Sequence, residues 1–161
     1  MSSEAAPMRT YQVGVVADTH GLLRPELVAA LQGVDLIVHA GDVGKEAVLR
    51  GLEAIAPVVA VRGNMDRERW TSRLRYREMV PVGEVTLYVL HDLQDLDLKP
   101  KAAGVAAVIS GHLHQRELWK RGGVLYVNPG SAGPQRSGAP ASAALMEIEG
   151  KEIEVQFVDL S

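Results

Sequence analysis

Two imidazoles separated by one residue, His112 and His114, follow Gly111 at the end of a short apolar run, Val105–Ile109. Neutral imidazole is the commonest side-chain metal ligand near neutral pH; alone, such a pair is also compatible with surface histidines after a strand. The chain has five histidines. Four of them, His20, His91, His112 and His114, lie just past apolar runs, as do Asp18, Asp42 and Asn64, and nearly all of these residues neighbour a glycine. Two carboxylates, one amide oxygen and four imidazoles make a mixed oxygen and nitrogen donor set, suited to Mn, Fe, Zn or similar ions rather than calcium. Seven donors exceed what one ion with an open position uses. Two ions about 3.5–4 Å apart, sharing a carboxylate, fit better. The fifth histidine, His39, falls inside an apolar run and reads as a hydrogen-bonded core or supporting residue.

The elements that must position these donors follow from apolar periodicity. Tyr11–Ala17, Asp35–Ala40 and Val58–Val61 read as buried strands. Helices over Pro25–Gln32 and Lys45–Ile55 lie between them, the first opened by Pro25 and stopped by Gly33. This βαβαβ rhythm predicts parallel strands with right-handed crossovers, and in such sheets ligands sit beyond the carboxyl ends of the strands. Further on, Arg67–Leu74 reads as a short helix, and Tyr76–Val80 and Glu84–Leu90 as a hairpin around Pro81-Val82-Gly83. Leu93–Gly104 reads as irregular or weakly helical. Leu118–Arg121 and Val124–Val127 flank Gly122-Gly123 as a second hairpin. Ser142–Ile148 and Glu152–Val158 form a third around Glu149-Gly150-Lys151. The second half therefore reads as mostly antiparallel. The expected fold class is α/β, a two-sheet mixed α/β sandwich (αββα) with helices outside, forming one domain over residues 11–161 behind a disordered tail at 1–10.

At 161 residues without cysteine, disulfides, thiolate zinc sites and thiol nucleophiles are excluded. Net charge is −3 with scattered basic residues, which argues against a dedicated nucleic-acid surface. No apolar run approaches the roughly 20 residues of a membrane span, and no secretory signal is legible, so a cytoplasmic location is expected. An exposed hairpin edge is compatible with a homodimer.

Asp18-x-His20, Gly41-Asp42, Gly63-Asn64, His91 and Gly111-His112-x-His114, in that order, resemble the calcineurin-like metallophosphoesterase family. The compact length, Gly63-Asn64-x-Asp66 and Asn128-Pro129-Gly130-Ser131 resemble its small bacterial and archaeal phosphodiesterases. The resemblance spans Val13–Ser131, and its specificity lies in the ordered set of motifs. It implies that Asp18, His20, Asp42 and His114 hold one metal ion. Asp42, Asn64, His91 and His112 would hold another, with Asp42 bridging and with Asp42, Asn64 and His112 counted as catalytic. Two divalent transition-metal ions, Mn first and Fe, Ni or Zn otherwise, would share a hydroxide that attacks a small phosphate-ester substrate in line. The alternative is a catalytically weak or inactive protein-interaction scaffold on the same fold.

Two positions depart from the family pattern. Met65 stands where many members carry a histidine thought to protonate the leaving group. Either Asp66 or a metal-bound water replaces it, or the substrate has an easily departing leaving group. Asp92 stands where the usual His-Gly has glycine, and reads as a solvated carboxylate or as an orienting partner of a ligand histidine. Arg62, Arg67, Arg69 and Arg136 are candidates to reach a substrate phosphate. Asn128–Ser131 reads equally as pocket lining or as an ordinary turn. Trp70 and Tyr76 are either buried or form a subunit contact.

Overall fold

The computed structural model describes residues 9–135 and 138–161. Strands β1 (Thr10–Val16), β2 (Leu36–His39) and β3 (Val58–Ala60) alternate with helices α1 (Pro25–Ala30) and α2 (Glu46–Glu53). Then follow β4 (Arg77–Val82), β5 (Val85–Leu90), β6 (Ala107–Ile109), β7 (Arg116–Arg121), β8 (Val124–Pro129), β9 (Ser142–Glu149) and β10 (Glu152–Asp159). They form two five-stranded sheets, ordered β10-β9-β1-β2-β3 and β4-β5-β6-β8-β7.

Strand alternation divides the apolar residues between two layers. Val13, Val15 and Ala17 of the β1 segment, Val38 of β2 with Ala40 just after it, and Leu87, Val89, Ala107 and Ile109 from the second sheet meet between the sheets. Val16 and Ile37 face the other way, against Leu27 and Leu31 of α1 and Leu49 and Leu52 of α2. Each fully buried leucine contributes about 2 kcal/mol by removal from water. A side chain at Gly14 would collide with Leu31, so the absence of a side chain there seats α1 on the sheet.

The mixed α/β sandwich is thus present, with departures in detail. The second sheet is parallel at its centre: β5 pairs with β6, and β6 with β8, in parallel. Hairpin signals mark only the antiparallel flanks, β4–β5 and β7–β8; the β5–β6 crossover runs through an irregular segment with no helical period to read. That segment, with a 3-10 turn at Leu93–Asp95, also covers the second sheet through Leu93, Leu96 and Leu98. Among the described residues no α-helix lies there. The segment read as a short helix over Arg67–Leu74 is a 3-10 turn, Arg69–Arg73. Finally, Pro81 belongs to β4 rather than to the turn, opposite Thr86, and the chain reverses at Gly83-Glu84 between Val82 and Val85. Because β4 is an edge strand, proline's missing N–H leaves no ladder bond unmade. Thr10, grouped with the tail by its polarity, opens β1, while residues 1–8 lie outside the described residues.

The consequence for function is geometric. Two parallel triads, β1-β2-β3 and β5-β6-β8, end on the same rim, and all seven candidate donors follow their carboxyl ends. Backbone pairing continues past the strands. Asp18 N–H donates to Gly41 O and His20 N–H to Asp42 O, both at 3.0 Å, and Gly111 N–H donates to His91 O at 2.9 Å. The loops are therefore zipped to one another rather than loose.

Candidate metal centre

Backbone strain is concentrated in the candidate residues. Asp18, His20, Asp42, His112 and His114 have φ of 56°, 47°, 57°, 74° and 60°, and among the described residues no other non-glycine has positive φ. Such a conformation costs about 1–2 kcal/mol per residue, and it persists where surrounding structure over-determines it, commonly at functional sites. The neighbouring Gly21 and Gly41 also have positive φ, so the polar residues share the left-handed backbone of these turns with glycine.

Each carboxylate is held by one oxygen and presents the other. Asp18 is fully buried; its Oδ2 accepts His112 N–H at 3.0 Å. Its Oδ1 lies 3.6 Å from His114 Nε2, 3.8 Å from His91 Nε2 and 3.9 Å from His20 Nε2. Asp42 Oδ1 accepts Met65 N–H at 2.8 Å, while its Oδ2 lies 3.3 Å from His91 Nε2 and 3.8 Å from His20 Nε2. The imidazoles fall into two pairs, His20 with His114 and His91 with His112, with ring centroids 5.3 and 5.2 Å apart. Asp42 Oδ2 therefore touches one ring of each pair.

His91 shows how a ring is aimed. Its Nδ1–H donates to Ala40 O at 2.8 Å, which turns Nε2 toward the carboxylates. Metal-ligating histidines are commonly fixed through the second nitrogen in this way. Asp18 Oδ1 and His91 Nε2 are buried without a hydrogen-bond partner, an arrangement that costs free energy unless something resolves it. Burial pushes the Asp18 carboxyl up to about 7, with Asp42 adding to the rise and His91 opposing it. Burial also acts on Asp42, but His91 and the Met65 amide outweigh it and hold that carboxyl below its usual range. Burial disfavours charge on His91; Asp42 and Asp18 outweigh it and hold the imidazole above its usual range. Two groups, Asp18–His20–His114 and Asp18–Asp42–His91, bring donor atoms close enough to hold an ion. A divalent cation supplies the positive charge that two buried carboxylates call for, so the residues fit the group.

The remaining two candidates lie at the margin. Asn64 is exposed and lines, with His91, Arg62, Tyr76 and Arg77, a cavity of about 160 Å³. His112 is half-buried, its Nε2 3.7 Å from Asp92 Oδ2. Of the arginines, Arg62 lines the cavity and donates through Nε to Asp66 O at 3.0 Å. Arg67 and Arg69 are exposed, and Arg136 lies outside the described residues. Tyr76 is exposed beneath the Arg62 guanidinium, 5.3 Å from it, and Trp70 is half-buried against the α1–α2 layer.

Supporting residues brace these loops: His39 bears out its reading as a hydrogen-bonded core residue, and Asp66 does more than its reading assigned. Asp66 is not available as a proton donor. It is buried, and its carboxylate accepts four backbone N–H groups: Asp42 and Gly63 at 2.9 Å, Gly44 at 3.2 Å and Val43 at 3.3 Å. It clamps the Asp42 loop to the Asn64 loop, and the signal in the chain was its place three residues after Gly63. At Gly63 a side chain would strike Asp42 Oδ1 and its amide, so only glycine allows that approach. His39 is buried, and its Nδ1 accepts Gly41 N–H at 3.1 Å. Its Nε2–H therefore donates to Thr19 Oγ1 at 2.9 Å, and Thr19 donates to Val43 O at 2.8 Å. Burial drives its pKa down to about 3, so it is neutral and structural. Asn128–Ser131 ties loops together: Asn128 Nδ2 donates to Gly111 O at 2.9 Å and Ser131 Oγ to Asp18 O at 3.0 Å. Of its two readings, the structure shows a bracing turn.

Comparison with known proteins places this geometry. Residues 11–151 match the model of the calcineurin-like phosphoesterase superfamily domain. A probable metallophosphoesterase of Methanothermobacter thermautotrophicus is 36% identical, the alignment covering 91% of each chain. A phosphodiesterase of Methanocaldococcus jannaschii is 26% identical over 88% of this chain and 95% of its own. Among solved structures, Vps29 of Entamoeba histolytica complexed with zinc superposes with a TM-score of 0.70 at 20% identity, covering 93% of this chain and 99% of that one. The family match spans most of the chain and includes every one of the seven candidate donors: the protein belongs to the calcineurin-like phosphoesterase superfamily.

Proposed function

We propose that the protein is a two-ion phosphodiesterase. Asp18, His20, Asp42 and His114 hold one divalent ion, and Asp42, Asn64, His91 and His112 hold the other, with Asp42 shared. The observation that carries this reading is the pair of buried atoms, Asp18 Oδ1 and His91 Nε2, turned into one space, the first from left-handed backbone and the second by the hydrogen bond of His91 Nδ1–H to Ala40 O. The sorting of four imidazoles into two ring pairs, with Asp42 Oδ2 and Asp18 Oδ1 each near rings of both pairs, supports a shared carboxylate. The oxygen and nitrogen donor set suits Mn, Fe, Ni or Zn, with Mn as our choice. When bound, such ions lower the pKa of a water to supply the nucleophile and offset charge on the phosphoryl oxygens.

The chain's own part is placement. The amides of His112 and Met65 hold one oxygen of each carboxylate, so the other keeps its direction. Asn64 and Arg62 at the cavity mouth offer N–H donors to a phosphate ester. Met65 has no proton to give, and Asp66 is committed to four amides. Esters with readily departing leaving groups are therefore favoured, and we name a small phosphodiester as the substrate, in keeping with the M. jannaschii relative. A scaffold on the same fold would give no physical reason to keep two carboxylates buried against four imidazoles.

The test uses chelated protein supplied in turn with Mn, Fe, Ni, Zn and Mg, assayed on aryl phosphodiesters and monoesters of graded leaving-group pKa. Restored diester hydrolysis that falls steeply as the leaving group becomes more basic is expected. Equal rates across the series would contradict the missing proton donor, and no turnover with any ion would favour the scaffold.

A further inference from the structure

Asp92 belongs to none of the seven donors, yet its carboxylate is arranged as theirs are. Its Oδ1 accepts Gln94 N–H at 3.0 Å, capping the 3-10 turn, and its Oδ2 lies 3.7 Å from His112 Nε2. Asp18 and Asp42 show the same division, with one oxygen pinned by a backbone amide and the other turned to an imidazole nitrogen. Pinning fixes the plane of the carboxylate, so Oδ2 is presented to the ring. The ring in turn packs edge-on against His91, its plane tilted 76° from that neighbour. An unsupported surface pair would be worth little; this one has both members held from behind.

We infer that Asp92 is a positioning residue for His112: it takes the Nε2–H, so that Nδ1 is the nitrogen that donates to the second ion. His91 is treated in the same manner, with Ala40 O taking its Nδ1–H and Nε2 left to donate. The difference is that His112 is backed by a carboxylate, which makes an imidazole the more basic ligand and fixes its tautomer. A small χ rotation of either side chain brings 3.7 Å to hydrogen-bond distance. Asp92 acts through the ring and does not itself bind the ion. This inference rests on the proposed role of His112 as a ligand.

The experiment follows zinc binding to the chelated full-length chain, labelled with nitrogen-15 histidine, by calorimetry and long-range proton–nitrogen NMR. Wild type, Asp92→Ala and Asp92→Asn are compared. Wild type is expected to bind two ions, with His112 metal-bound at Nδ1 and protonated at Nε2. Asp92→Ala is expected to weaken one ion ~10–100-fold, leave the other unchanged and lose that tautomer signature. Asp92→Asn has a single acceptor oxygen; with that oxygen on Gln94 N–H its NH2 faces the ring and cannot accept Nε2–H, so it is expected to lose the tautomer signature as Asp92→Ala does. Unchanged affinities in Asp92→Ala, or His112 bound through Nε2 in wild type, overturn the inference while the two-ion reading stands. Fewer than two ions on wild type overturns that reading and this inference with it.

Discussion

Replacing Asp42 with alanine is expected to lower metal-restored diester hydrolysis by ~10³-fold or more, comparable to removal of a main electrostatic contact to the transition state. The size follows from position. Asp42 Oδ2 is 3.3 Å from His91 Nε2 and 3.8 Å from His20 Nε2, so on the proposed two-ion reading its loss removes the ligand the two ions share. The folded chain should tolerate the change. Removing Asp42 relieves its repulsion with the neighbouring Asp18 carboxyl, but it takes the acceptor from the Met65 amide and the anionic partner from His91. Urea unfolding in chelator should therefore shift by about 1–3 kcal/mol, with the fold retained. Retained hydrolysis in a well-folded Asp42→Ala protein would contradict the role assigned to this carboxylate.

Replacing Asp66 with alanine is expected to act in the opposite way, through the fold. Four amides, from Asp42, Val43, Gly44 and Gly63, lose a charged acceptor at once. Stranded buried donors cost about 1–3 kcal/mol each before relaxation or hydration, so a loss of at least about 3 kcal/mol is expected in urea unfolding with chelator present. The same loops carry Asp42 and Asn64, so ion binding should weaken as well. Asp66→Asn, which keeps one acceptor oxygen, should recover part of both. A stability unchanged in Asp66→Ala would show that the clamp is dispensable.

How much of this was legible beforehand depends on range. The strand-loop-helix cycles through Val61 could be read because apolar alternation and Gly/Pro punctuation are local. The parallel centre of the second sheet could not, because β5, β6 and β8 are joined by a 3-10 segment and by β7, and no local pattern distinguishes a parallel partner from an antiparallel one. The candidate donors stood out by residue type at strand ends. Their supports stood out less: Asp66 accepts mostly from, and Ser131 donates to, backbone groups far away in the chain, and only the place of Asp66 three residues after Gly63 gave a local signal. Asp92, read as a solvated carboxylate or as an orienting partner of a ligand histidine, is given the particular ring it faces only by its distance to His112, 20 positions along.

The central claim is that one chain holds two ions on these seven side chains. It is tested most directly by titrating chelated wild-type protein with zinc and counting ions per chain by calorimetry and elemental analysis at several pH values. Two ions are predicted. Because burial lifts the Asp18 carboxyl to about 7 and an ion must displace that proton, binding should release protons and weaken as pH falls below that value. One ion or none, or an affinity indifferent to pH across that range, would contradict the claim.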